Sequence, residues 1–95
     1  MNRHARPLKP GALAVVTWVD SAKLADAWTD PADAAATALS TAESVGWVLA
    51  LHSDRVVLAA SRIDRESRAS ARHGEVTAVP LACVTGVRVL ESAKD

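Results

Sequence analysis

Residues 44–61 read SVGWVLALHSDRVVLAAS, and this stretch decides the fold. Large apolar residues recur at every second position through residues 45–51, which is the period of a β-strand. Ser53 and Asp54 then bring side chains that bond to nearby backbone groups and favour a tight turn. Residues 55–61 have the length and composition of a return strand. The stretch therefore predicts an antiparallel hairpin.

The two faces of this hairpin predict where the core lies. One face of its first strand carries the largest side chains, namely Val45, Trp47, Leu49 and Leu51. Because Trp47 shares a face with three aliphatic residues, we expect it to lie in the core. The opposite face also holds apolar residues, including Val48 and Val57, although a monomeric antiparallel sheet normally has a wetter outer face. We expect either the alanine-rich helix described below or another copy of the chain to cover it.

The residues around the hairpin predict three further strands and one short helix. The β-branched runs predict strands over residues 13–19, 75–79 and 85–90. A single turn that starts at Pro80 joins the last two strands, because proline has no ladder donor but suits the start of a 3₁₀ turn. Asp30 as N-cap, Pro31 at the first helical position and Asp33 in the first turn predict a helix over residues 31–38.

These elements predict a mainly β fold, a small five-stranded SH3-like or Sm-like barrel with one short helix after the first strand. The chain has 95 residues, which is enough for one domain and too few for a second core. The barrel domain is expected over residues 12–91, with a polar, arginine-rich loop at residues 62–74. Residues 1–11 and 92–95 are expected to be flexible tails, the first of them basic.

Several short strings resemble a class of small proteins that phages and prophages encode. The strings are Val16-Thr17-Trp18, Asp20-Ser21, Trp28, SVGWV at residues 44–48, and Val79-Pro80 followed by Val84 and Val87. The resemblance covers residues 13–90. It implies an SH3-like or Sm-like barrel, and it implies no particular activity, because most members of the class have no assigned function.

The sequence lacks the residue patterns of a conventional enzyme or metal site. Its three histidines and its single cysteine, Cys83, are scattered and do not have the spacing of zinc ligands. The four glycines form no phosphate-binding loop. Four carboxylates could in principle supply an acid–base pair, namely Asp20, Asp26, Asp30 and Asp33, but helix capping and solvation explain them better. We therefore expect no enzymatic activity, no metal and no cofactor.

Charge and cysteine content bound the partners and the compartment. Eleven basic and eleven acidic residues balance, which argues against a DNA coat protein. The charges are nevertheless segregated, with a basic tail at residues 1–10, an acidic segment at residues 11–51 and four arginines in residues 62–72. One cysteine allows no internal disulfide, and no apolar run reaches the length of a membrane span. The expected location is the cytoplasm, that of the host cell if a phage encodes the chain.

Six residues are candidates for ligand contacts, and each has a structural alternative. They are Trp18, Asp20, Ser21, Trp28, Arg62 and Arg65. The two tryptophans could stack on a base or could cap the barrel, and the Asp20-Ser21 pair could bond a base or ribose or could simply form a turn. The arginines could clamp phosphate or could belong to a solvated loop.

The leading hypothesis is a non-enzymatic, homo-oligomeric small barrel that binds a phosphorylated ligand. A nucleotide signal and RNA are the concrete candidates, and sequestration of that ligand is one role it would serve. The alternative is a structural or adaptor module that binds a host or virion protein through its apolar outer face. A weaker third hypothesis is a hydrolase that uses Asp20.

Overall fold

The structure is a computed structural model, and it describes residues 7–23, 28–63 and 71–93. It is mainly β. The elements in chain order are β1 (Leu13–Asp20), α1 (Pro31–Ala35), β2 (Ser40–Leu51), β3 (Arg55–Ile63), β4 (Arg72–Pro80), a 3₁₀ turn (Leu81–Cys83) and β5 (Val84–Glu91). The five strands form one sheet in the order β4-β3-β2-β1-β5, and all neighbouring pairs are antiparallel. The mainly β class, the central hairpin and the 3₁₀ link are confirmed.

The sheet does not close into a barrel. Strands β4 and β5 lie at its opposite edges, although only the 3₁₀ turn separates them in the chain. No ladder pairs β4 with β5 among the residues that the structure describes. The structure therefore shows a mainly β fold of five antiparallel strands in one sheet, and the predicted SH3-like or Sm-like barrel stays a prediction.

Strand β2 is shared between two partners, and Gly46 makes this possible. Its residues 40–47 pair with β1, whereas residues 47–51 pair with β3. A Cβ atom at Gly46 would lie 2.5 Å from the carbonyl oxygen of Ala59. Glycine, having no Cβ, lets the two backbones approach this closely. Gly46 therefore has a structural role, because a side chain here would collide with the backbone of β3.

The core lies on the face of β2 opposite to the one predicted. Val48 is 1% exposed, whereas Val45 is 51% exposed and Trp47 is half-buried. The core cluster is made mainly of small side chains, namely Ala12, Ala14, Val16, Val48, Val56, Leu58 and Val79. The sequence pattern favours the bulkier face, whereas the buried face of β2 is the one that carries Gly46 and Val48. A register shift between Val48 and Ala50 also interrupts the alternation on which the prediction rested.

Residues at the inner end of each predicted tail contact the rest of the fold. Leu8 packs against the core, and the Gly11 amide donates a 2.8 Å hydrogen bond to the Val48 carbonyl oxygen. Gly11 has a φ of 96°, a left-handed conformation that glycine adopts readily. At the other end, Ala93 also packs against the core. Residues 8–11 and Ala93 therefore belong to the folded domain, and residues 1–6 and 94–95 lie outside the described part.

The predicted polar loop at residues 62–74 is largely strand at its ends. Strand β3 continues through Ile63, and β4 already begins at Arg72. Residues 64–70, which include Arg65, lie outside the described part of the chain. The prediction placed a loop here because residues 62–74 contain only one large apolar residue. Two strands that pair only with each other do not need an apolar face.

Candidate functional site

The ends of β3 and β4 form a two-stranded extension of the sheet, here called the basic ribbon (residues 60–63 and 72–75). Strand β2 pairs with β3 only up to Ala59, so the ribbon continues without a third strand. Three registered cross-strand pairs lie in it, Ser61 with Gly74, Arg62 with His73 and Ile63 with Arg72. Antiparallel pairing thus brings two guanidinium groups and an imidazole onto adjacent positions of one short ribbon.

A left-handed residue marks the point where the basic ribbon leaves the sheet. Glu75 has a φ of 54°, which is uncommon for any residue other than glycine. It lies in β4 between the registered pairs Ala59–Val76 and Ser61–Gly74. Its carboxylate accepts a 3.2 Å hydrogen bond from the Ser61 hydroxyl across the two strands. This is the one carboxylate within the described residues of the ribbon, which also carry Arg62 and Arg72, so positive side chains outnumber negative ones there.

Arg62 lies over the ring of Trp47. The guanidinium carbon is 4.1 Å from the ring centroid, which is the geometry of a cation–π contact. Trp47 itself is paired with the buried Ala59, so the contact links β2 to the root of the basic ribbon. The sequence pattern predicts Trp47 in the core, whereas in the structure it is half-buried and its ring contacts Arg62.

Trp18 packs against the core and uses its polar atom within the chain. It is half-buried, and its Nε1 donates a 3.0 Å hydrogen bond to the Ser44 hydroxyl. The pairing of Val16 with Ser44 and of Trp18 with Ala42 puts these groups on the core face. Trp18 thus has a structural role, and its stacking on a base remains a prediction.

Asp20 and Ser21 lie at the end of β1 and share a local hydrogen bond. Asp20 pairs with Ser40, the first residue of β2. The Asp20 Oδ1 accepts a 2.8 Å hydrogen bond from the backbone amide of Ser21, and both residues are exposed. The hydrogen bond engages one oxygen of the Asp20 carboxylate, and both the turn and a contact with base or ribose remain predictions.

Trp28 lies in a segment that makes no core contact, here called the acidic arm (residues 28–39). Every residue of the arm is exposed; Trp28 is 92% and Leu39 70% exposed. Asp30 caps α1 by accepting a 2.8 Å hydrogen bond from the Asp33 amide, as predicted, but the helix ends at Ala35 rather than near residue 38. Helix α1 buries no residue, so it does not cover the sheet of its own chain.

The outer face of the sheet carries a continuous row of apolar residues. Registered neighbours across four strands form this row, namely Leu13, Trp47, Ala59 and Val76. Val76 is 54% exposed, and Val45, which lies in the next row, is 51% exposed. The exposed apolar face of β2 is thus the face of Val45 and Trp47, which the sequence pattern predicts as core, and within the described part of the chain it is only partly covered.

The five candidate residues that the structure describes lie on different parts of the fold. Trp18, Asp20 and Ser21 lie towards the end of β1, Trp28 lies in the acidic arm, and Arg62 lies on the basic ribbon. Arg65 is outside the described residues. The ribbon instead pairs Arg62 with His73 and puts Arg62 over Trp47, while Arg72 pairs with Ile63 at the next position, on the other face of the ribbon. Only the long-range register of β3 and β4 reveals this grouping, and no local sequence signal carries it.

Metal and membrane features were searched within the same described residues. No group of three or more histidine, cysteine or acidic residues among them could hold a metal ion. No helix in residues 7–23, 28–63 and 71–93 is long and apolar enough to cross a membrane. Comparison of the chain with family models, curated proteins and solved structures gave no match.

Proposed function

We propose that this chain is a non-enzymatic binding module that takes a phosphorylated ligand, a nucleotide or RNA, on the basic ribbon. One observation carries the proposal: Arg62 is held over Trp47 at the root of a ribbon that also bears Arg72 and His73. Guanidinium groups match phosphate oxygens with paired donors, and they also stack on bases. The ring contact limits the motion of Arg62 before a ligand arrives, which lowers the entropic cost of binding.

We also propose that the sheet is an incompletely closed SH3-like or Sm-like barrel. The strand order, the 3₁₀ turn between the two edge strands and the close approach at Gly46 support this assignment. A barrel of this kind presents its polar contacts at strand ends and on the hairpins that project from it. The basic ribbon is such a projecting hairpin.

The test compares a double arginine variant of the ribbon with an arginine variant at the other end of β3. Arg62→Ala with Arg72→Ala removes the proposed phosphate contacts, and binding of a short single-stranded RNA and of a cyclic dinucleotide is measured by calorimetry. We expect at least about a tenfold loss of affinity, since one charge-assisted hydrogen bond contributes about 1.5–3 kcal/mol. For the RNA, the salt dependence of binding should also become shallower.

Arg55→Ala is the matched control. Arg55 starts β3 at the end opposite to the ribbon, and its guanidinium bonds Asp54 at 2.8 Å. Its loss should leave binding within about twofold, because an exposed ion pair contributes little. Equal losses in both variants would mean that general charge, and not the ribbon, holds the ligand. Unchanged binding in the ribbon variant would remove Arg62 and Arg72 from the site.

A second candidate is a protein-binding adaptor that uses the outer face. The exposure of Val45 and Val76, two apolar residues of this face that are about half-exposed, favours an adaptor. Val45→Asp would block such an interface while leaving the ribbon arginines in place. An adaptor would therefore lose its protein partner in the Val45 variant and keep it in the Arg62 and Arg72 variant.

A further inference from the structure

We propose that the acidic arm of one copy of this chain docks on the basic ribbon of a second copy. The inference rests on the proposed function, because it assigns a partner to the same ribbon. It also makes the two occupants competitors, since arm carboxylates and ligand phosphates would meet the same arginines.

The acidic arm has the composition of a docking segment and has no docking place on its own chain. Residues 28–39 contain two acidic residues, Asp30 and Asp33, and no basic ones. They also contain two large apolar side chains: Trp28 is 92% exposed and Leu39 is 70% exposed. The indole of Trp28 stands in water, and its burial against a partner would be strongly favourable.

The basic ribbon offers the complementary surface. Ile63 on the ribbon is 58% exposed, and Val76 at its root is 54% exposed, so both can receive an apolar side chain. Arg72 pairs with Ile63 across the two strands, and Arg62 precedes Ile63 in the chain, on the other face of the ribbon. An apolar strip bordered by cations suits a segment in which an indole precedes two carboxylates.

A second copy is the occupant that this pattern favours. In the single chain the large apolar side chains of the arm and of the ribbon, Trp28, Leu39 and Ile63, stand exposed to solvent. A two-fold arrangement lets each copy give one arm and receive one, which covers both surfaces with one repeated contact. Such an exchange also shields exposed apolar residues that a soluble monomer rarely leaves open.

Complementary charge variants test this contact. The arm variant carries Asp30→Asn with Asp33→Lys, in which asparagine keeps the helix cap. The ribbon variant carries Arg62→Glu with Arg72→Glu. Sedimentation equilibrium should give the wild type a mass that rises with concentration towards twice the 10.0 kDa of one chain. Each variant alone should stay at the mass of one chain, and an equimolar mixture should regain the wild-type mass.

Two further measurements sharpen the test. Glu43→Gln removes an exposed acid outside the arm and should associate like the wild type. The tryptophan emission of the wild type should shift to shorter wavelength as concentration rises, because Trp28 becomes buried, and the arm variant should show no such shift. A wild type that stays at the mass of one chain, or a mixture that fails to regain association, overturns the proposal.

Ligand titrations separate this inference from the proposed function. The arm variant keeps the ribbon arginines, so it should bind RNA or cyclic dinucleotide at least as tightly as the wild type. If neither compound binds any chain while the mixed variants still associate, the proposed function fails and the arm contact stands. If ligand binds the ribbon and the mixed variants do not associate, the arm contact fails alone.

Discussion

At the scale of single residues, Gly46 determines how closely β2 approaches β3. A Cβ at this position would lie 2.5 Å from the Ala59 carbonyl oxygen and 2.9 Å from its carbonyl carbon, and backbone atoms cannot rotate away. We expect Gly46→Ala to lower the free energy of unfolding by about 1–3 kcal/mol, the usual cost of overpacking. Chemical denaturation followed by tryptophan fluorescence measures this loss.

Gly86→Ala provides the comparison for Gly46. A Cβ there would meet the Thr17 side chain at 3.8 Å, an ordinary contact. Its free energy of unfolding should match the wild type or rise by about 0.4–1 kcal/mol, because alanine restricts the unfolded chain. Equal losses in the two variants would show that both strands merely disfavour alanine and that close approach is not the cause.

The hydrogen bond between Trp18 and Ser44 is a second residue-scale feature with a measurable contribution. Ser44→Ala leaves the half-buried indole nitrogen without its acceptor at 3.0 Å, so we expect a loss of about 1 kcal/mol in unfolding free energy. A double-mutant cycle with Trp18→Phe should give a coupling energy of similar size. Ser40→Ala, an exposed serine of the same strand, should change little. A coupling energy near zero would assign Trp18 to packing alone.

At the scale of elements, local chemistry made the hairpin, the helix cap and the 3₁₀ link predictable. Turn residues, an N-cap aspartate and a proline act on neighbouring backbone, so their effect can be read from adjacent positions. The core face of β2 and the basic ribbon could not be read in this way. The alternation of apolar residues predicts Trp47 in the core. The close approach at Gly46 and the register shift after Val48, however, depend on the pairing of β2 with β3. The same holds for the pairing of Arg62 with His73.

Helix α1 should be energetically independent of the sheet, because none of its residues is buried. Ala34→Gly weakens the helix by about 1 kcal/mol locally, yet the global free energy of unfolding should change by less than about 0.5 kcal/mol. Leu58→Ala, in contrast, empties a site that is 2% exposed and should cost about 2–5 kcal/mol. Denaturation midpoints of the two variants, measured on dilute protein, check this difference. A large effect of Ala34→Gly would mean that the arm packs on the sheet.

At the scale of the whole molecule, one sheet with two open edges must be stabilised by a small core. Within the described residues, the largest fully buried side chain is that of Leu58, and the others are valines. Edge strands β4 and β5 each leave one side of their backbone without a strand partner in that part of the chain. A chain of this size buries a modest fraction of its surface on folding, so association would add a substantial share of its stability.

The thermal midpoint should therefore rise with protein concentration. Binding of a second copy at a hundredfold excess over its dissociation constant adds about 2.7 kcal/mol, and each 1 kcal/mol raises the midpoint by about 4–8 °C in a domain of this size. Scanning calorimetry over a hundredfold concentration range should show a shift of several degrees. The arm variant with Asp30→Asn and Asp33→Lys should show a constant midpoint if the arm makes the contact. If that variant shifts as the wild type does, the open strand edges pair the copies instead, and a constant midpoint in the wild type would mean that one chain is stable alone.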